Sequence, residues 1–140
     1  MHSTIASLSP WIQRLFLISA FIASLSCFSR ADYNLPLYIF AYMAWGLQRN
    51  QKTRIAWLLV ITLITDFIWI LYWGPFWGSD KFEDGYWENG VHTLVVVLST
   101  INIFIKVVVL ILIYRQENEV KSSFTVEGVK ESISTFLSPN

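Results

Sequence analysis

Charge is scarce in this chain. Asp, Glu, Lys and Arg together make up 14% of its 140 residues, against roughly 25% in ordinary globular domains. Cysteine is nearly absent: Cys27 stands alone, which excludes an intramolecular disulfide and any cysteine-based metal site. The two histidines, His2 and His92, lie far apart and have no companions at ligand spacing, so no metal is expected. Net charge is zero, leaving no electrostatic footprint for nucleic acid. A Gly-rich phosphate loop, a nucleophile elbow and a Ser/His/Asp arrangement are also missing. Neither enzymatic activity nor a cofactor is expected.

What the chain has is apolar surface. Apolar residues make up 54%, with 7 Trp, 6 Tyr and 10 Phe, and the mean hydropathy is +0.48. A soluble domain of this size buries only about two thirds of its surface, too little to hide so much apolar area. A bilayer can. Four apolar runs stand out, at 12–28, 33–47, 55–73 and 91–114. A helix rises about 1.5 Å per residue and the hydrocarbon core is about 30 Å thick, so roughly 20 residues cross it. The third and fourth runs meet that length and the first nearly does. The second is short and must tilt, thin the bilayer or insert only partly. The chain therefore reads as an all-α integral membrane protein with four transmembrane helices. A cytoplasmic tail over 115–140 follows the bundle. The first run also fits the apolar core of a cleaved signal peptide with a cut after Ser29-Arg30-Ala31, which would leave three spans.

The punctuation agrees with this division. Gly46, Gln48, Arg49, Asn50 and Lys52 form a polar turn, Gly74-Pro75 is expected to stop the third helix, and Asn89-Gly90 signals a turn before the fourth. Trp and Tyr gather near the span ends, as in an interfacial belt. Basic residues set the orientation. Arg14, Arg49, Lys52, Arg54, Arg115, Lys121 and Lys130 fall on one side, and only Arg30 and Lys81 on the other. The positive-inside rule makes the richer side cytoplasmic, together with both termini. Asp80, Glu83, Asp84 and Glu88 lack the alternate spacing of a calcium loop and read as a solvated acidic loop. Ala20, Ala23, Ser24 and Cys27 place small groups for close helix contact.

Two charges lie inside the apolar runs, Asp66 in the third and Lys106 in the fourth. A charge near the bilayer centre costs roughly 2.5–3.5 kcal/mol on insertion scales, so each needs a partner or a use. At 1.5 Å per residue Asp66 lies about 16 Å from the cytoplasmic edge and Lys106 about 12 Å. A lysine side chain bridges that difference, so the two can pair and lock the register of the third and fourth helices. Thr62 lies one turn from Asp66, and Asn102 and Ser99 share the face of Lys106, so these three are expected to support the pair. The competing use is a proton or cation path through Asp66 and Asn102, in a small transporter or channel. In the tail, Val126, Val129, Ile133, Phe136 and Leu137 recur at helical spacing, with Glu127, Lys130 and Glu131 expected on the other side. This short amphipathic helix is weakened by Gly128 by about 1 kcal/mol. Its apolar face is a candidate partner-binding surface; membrane contact and packing on the bundle are equally open.

Trp45-Gly46-Leu47-Gln48-Arg49, the segment ITDFIWILY containing Asp66, and INIFIKVVVLILIYRQ containing Lys106 and Arg115 together resemble the type-1 angiotensin II receptor-associated protein family over residues 42–116. Gln48, Arg49, Asp66 and Lys106 match position by position, whereas 117–140 has no counterpart to the family's longer tail. The resemblance implies a small multi-pass adaptor of endomembrane vesicles and the plasma membrane. Such a protein engages the cytoplasmic tail of a G-protein-coupled receptor through its own tail and promotes internalisation and desensitisation. The expected partners are the lipid bilayer and another membrane protein, with neither nucleic acid nor metal. A structural accessory subunit of a larger membrane complex is the alternative reading.

Overall fold

The computed structural model describes residues 9–27, 32–46, 49–77 and 86–137, and the elements within them are all helices. They are α1 (Ser9–Ser26), α2 (Asn34–Ala44), α3 (Arg49–Trp77), α4 (Tyr86–Gln116), α5 (Asn118–Ser123) and α6 (Val126–Leu137). Within α3 and α4, Gln51–Trp77 and Asn89–Gln116 are long and apolar enough to cross a membrane. Asp80, Lys81, Glu83 and Asp84 of the acidic loop, the Ser29-Arg30-Ala31 cut and Gln48 lie outside the described residues, as do the side chains of Arg49, Glu88 and Phe136.

Two expected boundaries are corrected. Gly74-Pro75 does not stop the third helix, which continues to Trp77, and Asn89-Gly90 lies within the opening turns of α4. Turn propensity is a local preference. The helical turns on either side, by bonding their own N–H and C=O groups, outweigh it.

The second apolar run is shorter than its expected 33–47. α2 has 11 residues, about 16 Å at 1.5 Å per residue and so about half a bilayer core. Its start is set by Asp32, whose Oδ1 accepts the Asn34 N–H at 3.0 Å, an Asx turn that directs the chain into a helix. Pro36 is tolerated because it sits in the first turn, where its missing N–H would have had no helical partner. The helix gives way to a turn at Trp45 and Gly46.

Packing follows a spacing of alternating threes and fours. On α1 the buried residues Ile12, Phe16, Ser19, Ala23 and Ser26 form a seam, and on α4 Val95, Ser99, Asn102, Lys106, Val109 and Ile113 form another. α1 packs on both α2 and α4, α4 packs on α3, and α2 meets α3 over a short stretch. The small stripe on α1 that is buried is Ser19, Ala20, Ala23 and Ser26. Cys27 is exposed and Ser24 is only partly covered, because α1 turns its Ser19–Ser26 edge inward rather than its Ser24–Cys27 edge. The apolar core gathers at the end of the bundle that carries Lys52. Phe16 lies edge-on to Trp45 at 5.8 Å between ring centres, among Ile12, Tyr38, Ile55, Leu59, Val109 and Ile113. At the opposite end His92 of α4 stacks on Trp77 of α3 at 4.5 Å and 11°.

The start of the tail belongs to this core. Val120 is 1% exposed and belongs to the same buried cluster as Ile55 and Ile113, Phe124 lies 4.6 Å from the Trp57 ring, and Glu117 pairs with Lys52 at 2.6 Å. The chain then turns sharply into α6. A Cβ on Gly128 would stand 2.4 Å from the Ser122 carbonyl oxygen and 2.7 Å from Ser123 Cα. Glycine is needed there for close backbone approach, since no described glycine has a positive φ. Gly128→Ala is expected to open the α5–α6 corner although alanine favours helix by about 1 kcal/mol. Limited proteolysis would show faster cutting between residues 122 and 128 with the bundle's unfolding temperature unchanged. Equal cutting rates would mean the corner does not depend on that approach.

Candidate functional site

α3 and α4 run antiparallel, and the positions expected from residue count bring Asp66 and Lys106 to the same level. Lys106 Nζ lies 2.5 Å from Asp66 Oδ2, with side-chain exposures of 0% and 5%. An ion pair with so little access to solvent holds only if its remaining donors and acceptors are also satisfied. They are. Lys106 Nζ donates to Asn34 Oδ1 at 2.8 Å and to Thr62 Oγ1 at 3.1 Å, as well as to Asp66. Asp66 Oδ1 accepts from the Tyr33 hydroxyl at 2.5 Å and from Asn34 Nδ2 at 3.1 Å. The three ammonium donors thus have three acceptors, and the carboxylate accepts three bonds.

Each neighbour is matched to its task. Thr62 donates its own proton to the Leu58 carbonyl at 2.8 Å, which leaves its oxygen able to accept from Lys106. Asn34 offers its carbonyl to the cation and its amide to the anion, the use for which a side-chain amide is suited. The rings of Tyr38 and Tyr33 stand 5.7 and 5.9 Å from the ammonium, within range of a cation–π attraction. The N-terminal end of α2, where the helix dipole is positive, lies beside the carboxylate.

Of the polar residues expected to support the pair, the structure brings in Thr62 but not Ser99 or Asn102. Ser99 and Asn102 are buried at 6% and 1%, yet Ser99 Oγ and both polar atoms of Asn102 make no hydrogen bond among the described residues. Sharing a helix face with Lys106 fixes their direction, but the lysine extends toward α2 and α3, away from its own helix. Asn34 and Tyr33 were not anticipated. Their signal was the Asp-Tyr-Asn cluster at the head of the short second apolar run: a helix much shorter than its neighbours places its polar end partway along them.

In the tail, Val126, Ile133 and Leu137 are exposed and Val129 is partly covered. Lys52 also lies 5.1 Å from the Trp45 ring, and Trp45 Nε1 donates to Ser9 Oγ at 2.9 Å, so α1, α2, α3 and α5 are tied at this end. His92, engaged with Trp77, is not grouped with other ligating residues, and no cluster able to hold a metal occurs among the described residues. Comparison of the chain with protein-family models, curated proteins and solved structures finds no match.

Chemically, the pair is compensated within the bundle: all three ammonium hydrogens are committed and three of the roughly four acceptor sites of the carboxylate are taken, so a proton or cation reaching Asp66 competes with Lys106. The same five side chains, drawn from α2, α3, α4 and the turn before α2, set how far each helix slides past the next.

Proposed function

We propose that this chain is a non-enzymatic, multi-pass membrane adaptor that regulates the trafficking, internalisation or signalling of a membrane receptor. The resemblance over residues 42–116 points to a receptor of the G-protein-coupled class. The reading places four crossings in endomembrane vesicles and the plasma membrane, with α2 contributing to the second and both termini in the cytoplasm. The observation that carries it is that Asp66 and Lys106 are buried against each other, with every ammonium hydrogen and both carboxylate oxygens engaged within the bundle, which supports a structural lock over a transport path. The tail is held by α3 at a separate place, through Lys52 and Trp57. Residues 117–124 are seated on the bundle and α6 is presented beyond it.

The test compares affinity purification of the intact chain with that of a chain ending at Thr125. A cut after Gln116 would also strip Val120 and Phe124 from the core and confuse loss of partners with loss of fold. Disappearance of a receptor partner from the shortened chain is the expected outcome. The same partners retained in fixed ratio would replace the adaptor with an accessory subunit that binds through its bundle. Proton or cation flux lost in Asp66→Asn would replace it with a transporter.

A further inference from the structure

α6 divides its apolar and charged residues between two sides more sharply than α1 to α4 do. Val126, Val129, Ile133 and Leu137 recur every three or four residues on one side, and Val126, Ile133 and Leu137 are 76%, 53% and 73% exposed. Glu127 and Glu131 occupy a different arc and are exposed, while Lys130 flanks the apolar stripe, where its stem can lie along apolar surroundings with the ammonium in water.

Where α6 begins decides what meets that stripe. Phe124, two residues before it, rests on Trp57. Trp57 lies six residues beyond Gln51, the start of the apolar stretch of α3, about 9 Å along the helix. The close approach at Gly128 keeps the first turn of α6 against the end of α5. The helix therefore leaves the bundle at the depth of the bilayer interface. Near this level α3 also carries exposed apolar residues, Leu58 and Ile61 at 39% and 57%. Charge attraction is not what seats it, because Glu127 and Glu131 outnumber Lys130. Apolar insertion is, so a zwitterionic leaflet suffices.

We propose that α6 lies in the plane of the membrane interface, with Val126, Val129, Ile133 and Leu137 turned into the acyl-chain boundary. This rests on the membrane-adaptor reading and deepens it: the acidic side with Glu127 and Glu131 is the surface left facing a partner. The test places single spin labels at 126, 127, 129, 131, 133, 134 and 137 in the full chain carrying Cys27→Ser, reconstituted in phosphatidylcholine bilayers. Collision with oxygen is then compared with collision with a water-soluble nickel chelate. The expected ratio of oxygen to nickel access lies above unity at 126, 129, 133 and 137 and below it at 127, 131 and 134. Nickel access at all seven positions would overturn the proposal, since the helix would then stand free in water. Exclusion of both reagents from the stripe would also overturn it, because protein rather than lipid would cover that face. The adaptor reading fails separately, through partners that stay bound when α6 is removed.

Discussion

Lys106→Ala is expected to lower the stability of the reconstituted bundle by about 3–5 kcal/mol, the usual cost of removing one partner of a buried ion pair. The magnitude comes from what is left behind. Asp66, 4% exposed in the intact bundle, would lose the cation that compensates its burial, and Asn34 Oδ1 and Thr62 Oγ1 would lose their donor. Asp66→Ala is expected to do the same with the sign reversed. A charge exchange, Asp66→Lys with Lys106→Asp, should recover part of the loss: the Asn34 amide can reverse, and the Tyr33 and Thr62 hydroxyls can each donate or accept. Unfolding titrations in mixed micelles of denaturing and mild detergent would measure all three. Full recovery by the double alanine, with none by the exchange, would count against a specific pair. In that double variant Asn34, Tyr33 and Thr62 keep their places but lose the charges they serve, so incomplete recovery is the expected result.

Asn34→Leu and Asn102→Leu should differ by several kcal/mol although both remove a buried asparagine. Asn34 makes one bond to the cation and one to the anion. Its loss leaves two charged groups each short of a partner, at about 1–3 kcal/mol apiece. Asn102 makes no hydrogen bond among the described residues, so an apolar side chain of similar size should be neutral or stabilising there. The same detergent titration distinguishes them. Equal losses would mean that Asn102 contributes to the lock in a way its geometry does not reveal. In a membrane an average interhelical hydrogen bond contributes only about 0.6 kcal/mol. A large Asn34 effect would therefore reflect its contact with full charges rather than the bond count.

Much of this protein could be read from its residues because depth along a helix is linear in residue number. Counting residues at a fixed rise placed Asp66 and Lys106 at nearly one level, and a lysine stem covers the rest. Composition was equally direct about the two long apolar helices, since too little polar surface is present to cover them in water. The boundaries at Gly74-Pro75 and Asn89-Gly90 misled because turn propensity competes with the need to keep backbone groups bonded in an apolar stretch.

What only the tertiary structure decided is which groups surround the pair and how the tail is used. Around Lys106 the azimuth is set by how α1, α2 and α3 pack. Asn102 and Ser99, chosen by spacing along α4, were thus on the correct helix face but out of reach of the partner that mattered. Asn34 and Tyr33 come from the head of α2, which falls level with the middle of α3 because a turn at Trp45 and Gly46 ends the helix early and an Asx turn at Asp32 begins it late. Gly128 read as a weak point in a tail helix and proved to be the residue that permits α5 and α6 to touch. Linear spacing reports distance along one helix; closeness between helices is a property of their packing, and the lock and the tail both depend on it.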